Sequence, residues 1–203
     1  QFVLRDKKRG GQLHTHLRTR WRKRRKRYGT HERRGVAPGK RHISERPAEV
    51  ETRQTLGHWE IDTVLGKGDS HCIVTVVERK TGYTLIGKLR ARTKDELNWR
   101  TTRLILAHHT RFHTITADNG TEFHGFKDIE QATNVPFYFA TPHHSWERGT
   151  NENTNGLIRQ YLPKGTSMAK LTQQQCNMIA HRLNNRPRKR LGWRTPQECF
   201  HEN

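Results

Sequence analysis

Trp59-Glu-Ile-Asp-Thr-Val-Leu65, Cys72-Ile-Val-Thr-Val-Val77 and Tyr83-Thr-Leu-Ile-Gly-Lys-Leu89 are three apolar, β-branched runs, and they are joined by Gly66-Lys-Gly-Asp69 and Arg79-Lys-Thr-Gly82. Runs of this length and composition read as strands, and links this short and turn-rich predict an antiparallel meander. Asp62 is the anomaly. It stands inside an apolar strand, where an uncompensated carboxylate is costly to bury, so it must be paired, metal-bound or at the open end of the sheet. Glu60, two residues away, faces the same side of the strand and competes for the same role.

Beyond the meander, Thr93 to His109 predicts a helix with Thr93 as N-cap, Asp95 and Glu96 in its first turn, and Leu97, Leu104 and Leu106 among its apolar positions. His113-Thr-Ile-Thr-Ala117 is a short strand running into the turn tripeptide Asp118-Asn-Gly120. Glu122 to Thr133 reads as helical and Val135 to Phe139 as a further strand, which Pro136 places at an edge or starts late. Another helix is expected from about Trp146 or Asn151 to Tyr161, stopped by Pro163 and Gly165, and one from Thr172 to Asn184, stopped by Pro187. The order is that of an α/β sheet flanked by helices. In such sheets, ligand groups sit where strands end, which is where Asp118 lies.

The 203 residues carry a formal charge of +20 from 39 Lys and Arg against 19 Asp and Glu. Residues 1–50 hold 17 basic and 4 acidic residues, so they account for +13. With little apolar periodicity, this segment reads as a basic DNA-binding arm or linker, largely irregular or only locally helical, and residues 51–203 as the folded core with a helical C-terminal extension. The tract Arg22, Lys23, Arg24, Arg25, Lys26 and Arg27 is the sharpest concentration of charge, suited to gripping phosphates through counterion release. A second cluster, Arg182, Arg186, Arg188, Lys189, Arg190 and Arg194 around Trp193, is read as a further DNA contact.

The cysteines Cys72, Cys176 and Cys199 are odd in number and widely spaced, which fits a reducing, cytoplasmic compartment rather than a disulfide or zinc framework. No run approaches the roughly 20 apolar residues of a membrane helix. A chain that opens on Gln1 rather than Met reads as a fragment or a processed product.

For a third acid the residues offer Glu147 and Glu152. At about 100° per residue, Glu152 shares a helical stripe with Asn155, Gly156 and Arg159, whereas Glu147 lies about 140° away and is separated by Gly149. A polar stripe with a glycine is a surface approached closely by something else. Arg159 reads either as a surface helix pair or as a contact to DNA phosphate. Asn119 is read as structural, Trp146 as a core anchor. His143 and His144, adjacent and without a nearby third ligand, are not read as a metal site.

Three longer strings carry a resemblance: Gly57-His-Trp-Glu-Ile-Asp-Thr-Val64, Thr116-Ala-Asp-Asn-Gly-Thr-Glu-Phe123, and Ser145-Trp-Glu-Arg-Gly-Thr-Asn-Glu-Asn-Thr-Asn-Gly-Leu-Ile-Arg-Gln-Tyr161. Together they resemble the DDE transposases of the insertion sequence thirty family, in which 33 residues separate the second acid from the glutamate and a basic residue follows seven later. Here 33 residues lie between Asp118 and Glu152, and Arg159 follows Glu152 by seven. Ile43-Ser-Glu-Arg-Pro-Ala-Glu-Val50, Leu183-Asn-Asn-Arg-Pro-Arg188 and Thr195-Pro-Gln-Glu198 also look like family segments. The resemblance implies a ribonuclease-H-like mixed sheet and an integrase-type catalytic core. Asp62, Asp118 and Glu152 would hold two Mg²⁺ or Mn²⁺ ions for nicking and strand transfer on double-stranded DNA. It further implies a homo-oligomer, a dimer in the first instance, and an end-recognition helix-turn-helix upstream. Without metal, three convergent carboxylates repel, so at least one pKa should rise. Two other readings compete: a nuclease that cuts without joining, and a DNA-binding remnant.

Overall fold

The computed structural model describes residues 2–17, 38–68, 70–142 and 144–202. It divides into two compact units, Gln1–Glu32 and Arg33–Asn203. In the first, α1 (Phe2–Lys8) precedes a 3-10 turn (Leu13–His16), and no described side chain of either is buried. Asp6 ties the two together by accepting from the Leu13 backbone N–H at 3.0 Å. The tract Arg22–Arg27 and His143 lie outside the described residues.

The second unit is built on one six-stranded sheet. In chain order its elements are β1 (Arg41–His42), α2 (Glu49–Thr52), β2 (His58–Leu65), β3 (Cys72–Glu78), β4 (Thr84–Leu89), α3 (Lys94–Leu106), β5 (Thr114–Ala117), α4 (Phe126–Thr133), β6 (Phe137–Phe139), α5 (Gly149–Ile158), α6 (Gln173–Asn184) and α7 (Pro196–His201). The strands are ordered β1-β6-β5-β2-β3-β4. β2, β3 and β4 form the antiparallel meander, with Asp62 opposite Thr75, while β5, β6 and β1 run parallel to β2.

Period-2 alternation sorts the side chains between two cores. Trp59 and Ile61 turn to the face covered by α3 and α4, joining Leu97, Ile105, Phe126 and Ile129. Val64 turns to the opposite face, where Leu157 and Ile158 of α5 meet Cys176, Ile179 and Leu183 of α6. The same alternation puts Glu60 and Asp62 under α5. Trp59 anchors the first core. It is fully buried, stacks on Phe112 at 4.2 Å, meets Phe200 of α7 edge-on and donates from Nε1 to the Arg111 carbonyl at 2.8 Å.

Four local features differ from, or were missing from, the sequence reading. The sheet reaches back to Arg41 and His42, two residues too few to show any periodicity. The helix expected from Glu122 begins as a 3-10 turn (Thr121–Gly125) and becomes α-helical only at Phe126. Gly125 is where α3 comes closest, since a Cβ there would lie 2.3 Å from Asn98 Nδ2. β6 starts late, after Pro136, but is interior, because Pro136 precedes the ladder and its carbonyl still accepts from Ile115. α7 is set by Thr195-Pro-Gln-Glu198, a capping box with proline at the first helical position.

Candidate active site

Asp62 and Asp118 enter from neighbouring strands and meet at one guanidinium. Arg148, the residue before α5, places Nη1 3.7 Å from Asp62 Oδ1 and Nη2 3.2 Å from Asp118 Oδ2. Its Nη1 also donates to the Ile61 carbonyl at 3.1 Å, which fixes the fork against β2. Asp118 closes an Asx turn as well, accepting from the Gly120 N–H at 2.8 Å. Burial pushes the Asp62 carboxyl above the usual aspartate value; Arg148 opposes that rise and Asp118 adds to it. The direction matches the expectation for crowded acids, but desolvation outranks repulsion as its cause.

α5 is held to the sheet mainly by amides. Asn155 Nδ2 donates to Asp62 Oδ2 at 2.9 Å. Asn151 donates from its backbone to Glu60 Oε2 at 2.8 Å and from its side chain to the Glu60 carbonyl at 3.1 Å. Thr75 Oγ1 lies 2.9 Å from Asn151 Oδ1 and 3.0 Å from Asn155 Oδ1, so its one proton serves one of them at a time. Large apolar side chains enter only at Leu157 and Ile158, so the upper half of the helix depends on this polar seam.

Glu152 sits on α5 one turn from both Arg148 and Asn155, and its side chain is exposed. At 100° per residue, Arg148, Glu152, Asn155 and Arg159 share one stripe, of which Arg148 and Asn155 reach Asp62 while Glu152 stays exposed. Arg159 caps chain ends, donating from Nη2 to the Leu65 carbonyl at 2.9 Å. Glu60 is fully buried and paired with Arg79 at 2.7 Å. Glu147 turns back on its own loop, accepting from the Thr141 N–H at 2.7 Å. Asn119 bridges Lys40 and the Ala140 carbonyl. Trp146, expected in the core, is 57% exposed and stacks on His144 at 4.3 Å; the 3-10 turn Ser145–Arg148 carries it outward while directing Arg148 inward.

Glu122 is the residue that sequence reasoning assigned only to a helix start. Its carboxylate is buried beside the two aspartates, accepting at Oε1 from Thr63 at 2.8 Å and from Arg92 Nε at 2.7 Å. Oε2 is buried without a hydrogen-bond partner among the described residues. Gly120 makes room for it, since a Cβ there would be 2.5 Å from Glu122 Oε2 and 2.9 Å from Asp118 Oδ1. Its signal was the fourth position after Asp118, within the same short string.

As the side chains stand, no three His, Cys, Asp or Glu among the described residues gather closely enough to hold a metal ion. The donor chemistry nevertheless fits one. Every candidate ligand is a carboxylate, the donor preferred by hard divalent cations. The orphaned Glu122 oxygen is unmatched negative charge at the same place, and the cationic Arg148 already lies between Asp62 and Asp118.

A mixed sheet with helices on both faces, with Asp62 inside β2 and Asp118 just past the end of neighbouring β5, is the ribonuclease-H-like fold of integrase cores. In fold, the chain superposes on the catalytic core domain of HTLV-2 integrase, solved in complex with magnesium in a dimeric form, with a TM-score of 0.54 and 19% identity over 71% of this chain and 96% of that one. In sequence it is 44% identical over 200 residues to the transposase for insertion sequence element IS4351 of Bacteroides fragilis, covering 98% of this chain and 61% of that protein. It is 43% identical over 159 residues to the transposase InsI for insertion sequence element IS30A of Escherichia coli K12, covering 78% of this chain and 41% of that protein. Over most of its length the chain is similar in sequence to IS30-type transposases. It spans 61% and 41% of the length of these two relatives, and no family model matches it. No described helix is long and apolar enough to cross a membrane.

Proposed function

We propose that the chain is the catalytic core of a DDE transposase, a metal-dependent polynucleotidyl transferase that nicks the ends of a DNA element and joins them to target DNA. The observation that carries this reading is the convergence of Asp62 and Asp118 on Arg148, immediately before the helix that carries Asn155, bonded to Asp62, and the exposed Glu152. Asp62, Asp118 and Glu152 would hold two Mg²⁺ or Mn²⁺ ions, with Glu122 behind them. When bound, such ions activate the attacking water or 3′ hydroxyl and stabilise the departing oxygen of the phosphodiester. The protein's own part is positional. Asn155 orients the Asp62 carboxylate, Gly120 and its Asx turn aim Asp118, and Glu152 is brought to the same side by α5. Arg148 neutralises the pair of aspartates while they are free of metal. Neither step requires a covalent protein intermediate.

The partner in this reading is double-stranded DNA, as element end and as target, gripped by Arg22, Lys23, Arg24, Arg25, Lys26 and Arg27 and approached by Arg159. The working assembly is a dimer holding two ends, in the cytoplasm at the bacterial nucleoid. The test is cleavage and strand transfer by the purified chain on labelled supercoiled and linear DNA carrying cognate ends, with Mg²⁺ or Mn²⁺. Nicking and joining that vanish in Asp118→Asn and Glu152→Gln support the proposal. Nicking without joining favours a nuclease. Equal DNA binding by all forms with no cleavage leaves a DNA-binding remnant.

A further inference from the structure

On the far side of α5 from Arg148 and Asn155 lies a cavity of about 480 Å³. Its lining includes four cations and no carboxylate: Arg53 after α2, and Arg188, Lys189 and Arg190 in the loop between α6 and α7. Thr150, in the first turn of α5, also lines it. Its hydroxyl is buried, with the residue 9% exposed, and has no hydrogen-bond partner among the described residues. An unsatisfied buried hydroxyl costs about 1–3 kcal/mol, which a small shift toward an acceptor at the cavity would relieve.

Two of the cations, Arg188 and Arg190, are held in place by the fold, and Arg53 and Lys189 are exposed. Arg190 donates to the Lys80 carbonyl, and Gly82 leaves room for it, because a Cβ there would lie 2.6 Å from its Nη2. Arg188 donates to the Leu183 carbonyl at 3.1 Å, and the loop closes on it through Trp193 N–H to its own carbonyl at 3.0 Å. The Arg53 backbone takes the left-handed conformation at φ 56° that ends α2. Burial and the nearby Arg53 together pull Arg190 below the ordinary guanidinium range. Glu78 lies behind Arg190, outside the lining, with one carboxylate oxygen already bonded to Thr81. The helix adds its own field, since the cavity lies against the first turns of α5, at the positive end of its dipole.

We infer that this cavity seats a backbone phosphate of the bound DNA, held by Arg53, Arg188, Lys189 and Arg190 and receiving a hydrogen bond from Thr150. The inference rests on the nucleic-acid reading proposed above and adds a contact on the opposite side of the helix from the acids. α5 is about 10–12 Å across with its side chains, so a strand engaged at the acids passes this cavity at another of its phosphates.

The test uses the full chain and a fluorescently labelled duplex, with affinity measured by anisotropy across a range of salt concentrations. Arg53→Gln with Lys189→Gln removes two exposed cations, and the log–log salt slope should fall in magnitude by about 1.8. Thr150→Val should weaken duplex binding several-fold while leaving the melting temperature no lower, because the hydroxyl has no hydrogen-bond partner among the described residues to lose. An unchanged slope together with unchanged Thr150→Val affinity overturns the inference. So does a pyrophosphate-induced rise in melting temperature that these variants abolish without altering the slope, which would mark a small-anion site. Failure of the catalytic proposal reads differently: the wild type would not nick DNA, yet the slope difference would stand.

Discussion

Asn155 Nδ2 donates to Asp62 Oδ2 at 2.9 Å, joining residues 93 positions apart in the chain. It is the contact that ties α5 to the Asp62 carboxylate of the proposed site. A metal ion bound by the native state alone stabilises it by about 2.7 kcal/mol at 100 times Kd, which raises the melting temperature by roughly 5–10 °C for a unit of this size. Mn²⁺ is therefore expected to raise the melting temperature, and Asp118→Asn to abolish the rise. Asn155→Ala should shift the Mn²⁺ titration midpoint upward by about 10–100-fold, the effect of losing a partner that orients a ligand. A midpoint unmoved by Asn155→Ala would make that amide a packing contact only.

Arg148 predicts an effect of the opposite sign. Its guanidinium lies against both aspartates, so a divalent cation entering there has to displace it. Arg148→Gln should tighten Mn²⁺ binding about tenfold, equivalent to about 1.4 kcal/mol, measured calorimetrically on protein with or without the substitution. It should also lower the stability of the metal-free form, where two carboxylates lose their shared countercharge. Weaker Mn²⁺ binding in the variant would show that Arg148 supports the metal-bound geometry instead.

Glu60 and Arg79 form a buried pair at 2.7 Å, and Arg79 also reaches Glu51 and the Glu147 carbonyl. Removing one partner strands a charge in the interior. Glu60→Gln and Arg79→Met are each expected to cost about 3–5 kcal/mol in urea unfolding, and the double change Glu60→Met with Arg79→Met to recover part of that loss. Additive losses would mean the two side chains act independently.

The pH dependence of stability follows from buried histidines. Burial, outweighing nearby Glu49, holds His58 below its ordinary pKa of 6.5, and burial lowers His108 and His124 as well. As pH falls through 6.5 the unfolded chain takes up these protons first, so the stability present above 6.5 declines until the folded values are reached. Asp62 and Glu78 act in the other sense, since burial raises both. Their contribution is complete below the ordinary carboxylate values and is lost as pH rises through their folded ones. Unfolding free energy between pH 5 and 7 should therefore slope less in His58→Gln than in the wild type, and equal slopes would remove His58 as a source.

The meander, the parallel strand ending at Asp118 and the α6 boundaries were legible from local pattern, because β-branched alternation, turn residues and caps act over a few neighbours. β2 was expected from Trp59 and spans His58–Leu65; α6 was expected from Thr172 to Asn184 and spans Gln173–Asn184. Glu122 and Arg148 were not legible as site residues. Each owes its place to partners 30 or more positions away, Glu122 to Thr63 and Arg92, Arg148 to Asp62 and Asp118.

By itself, then, the sequence determined the order of strands and helices, the side of β2 on which Glu60 and Asp62 stand, and the concentration of positive charge at the start of the chain. Those are consequences of local sterics and of composition. Only the tertiary structure decided that Glu60 is neutralised internally by Arg79 while Asp62 is left facing Arg148 and Asn155, that Trp146 turns outward, and that four cations line one cavity beside Thr150. Which charges meet depends on how the sheet faces and helix stripes are brought together, and burial then fixes the cost of leaving any of them unpaired.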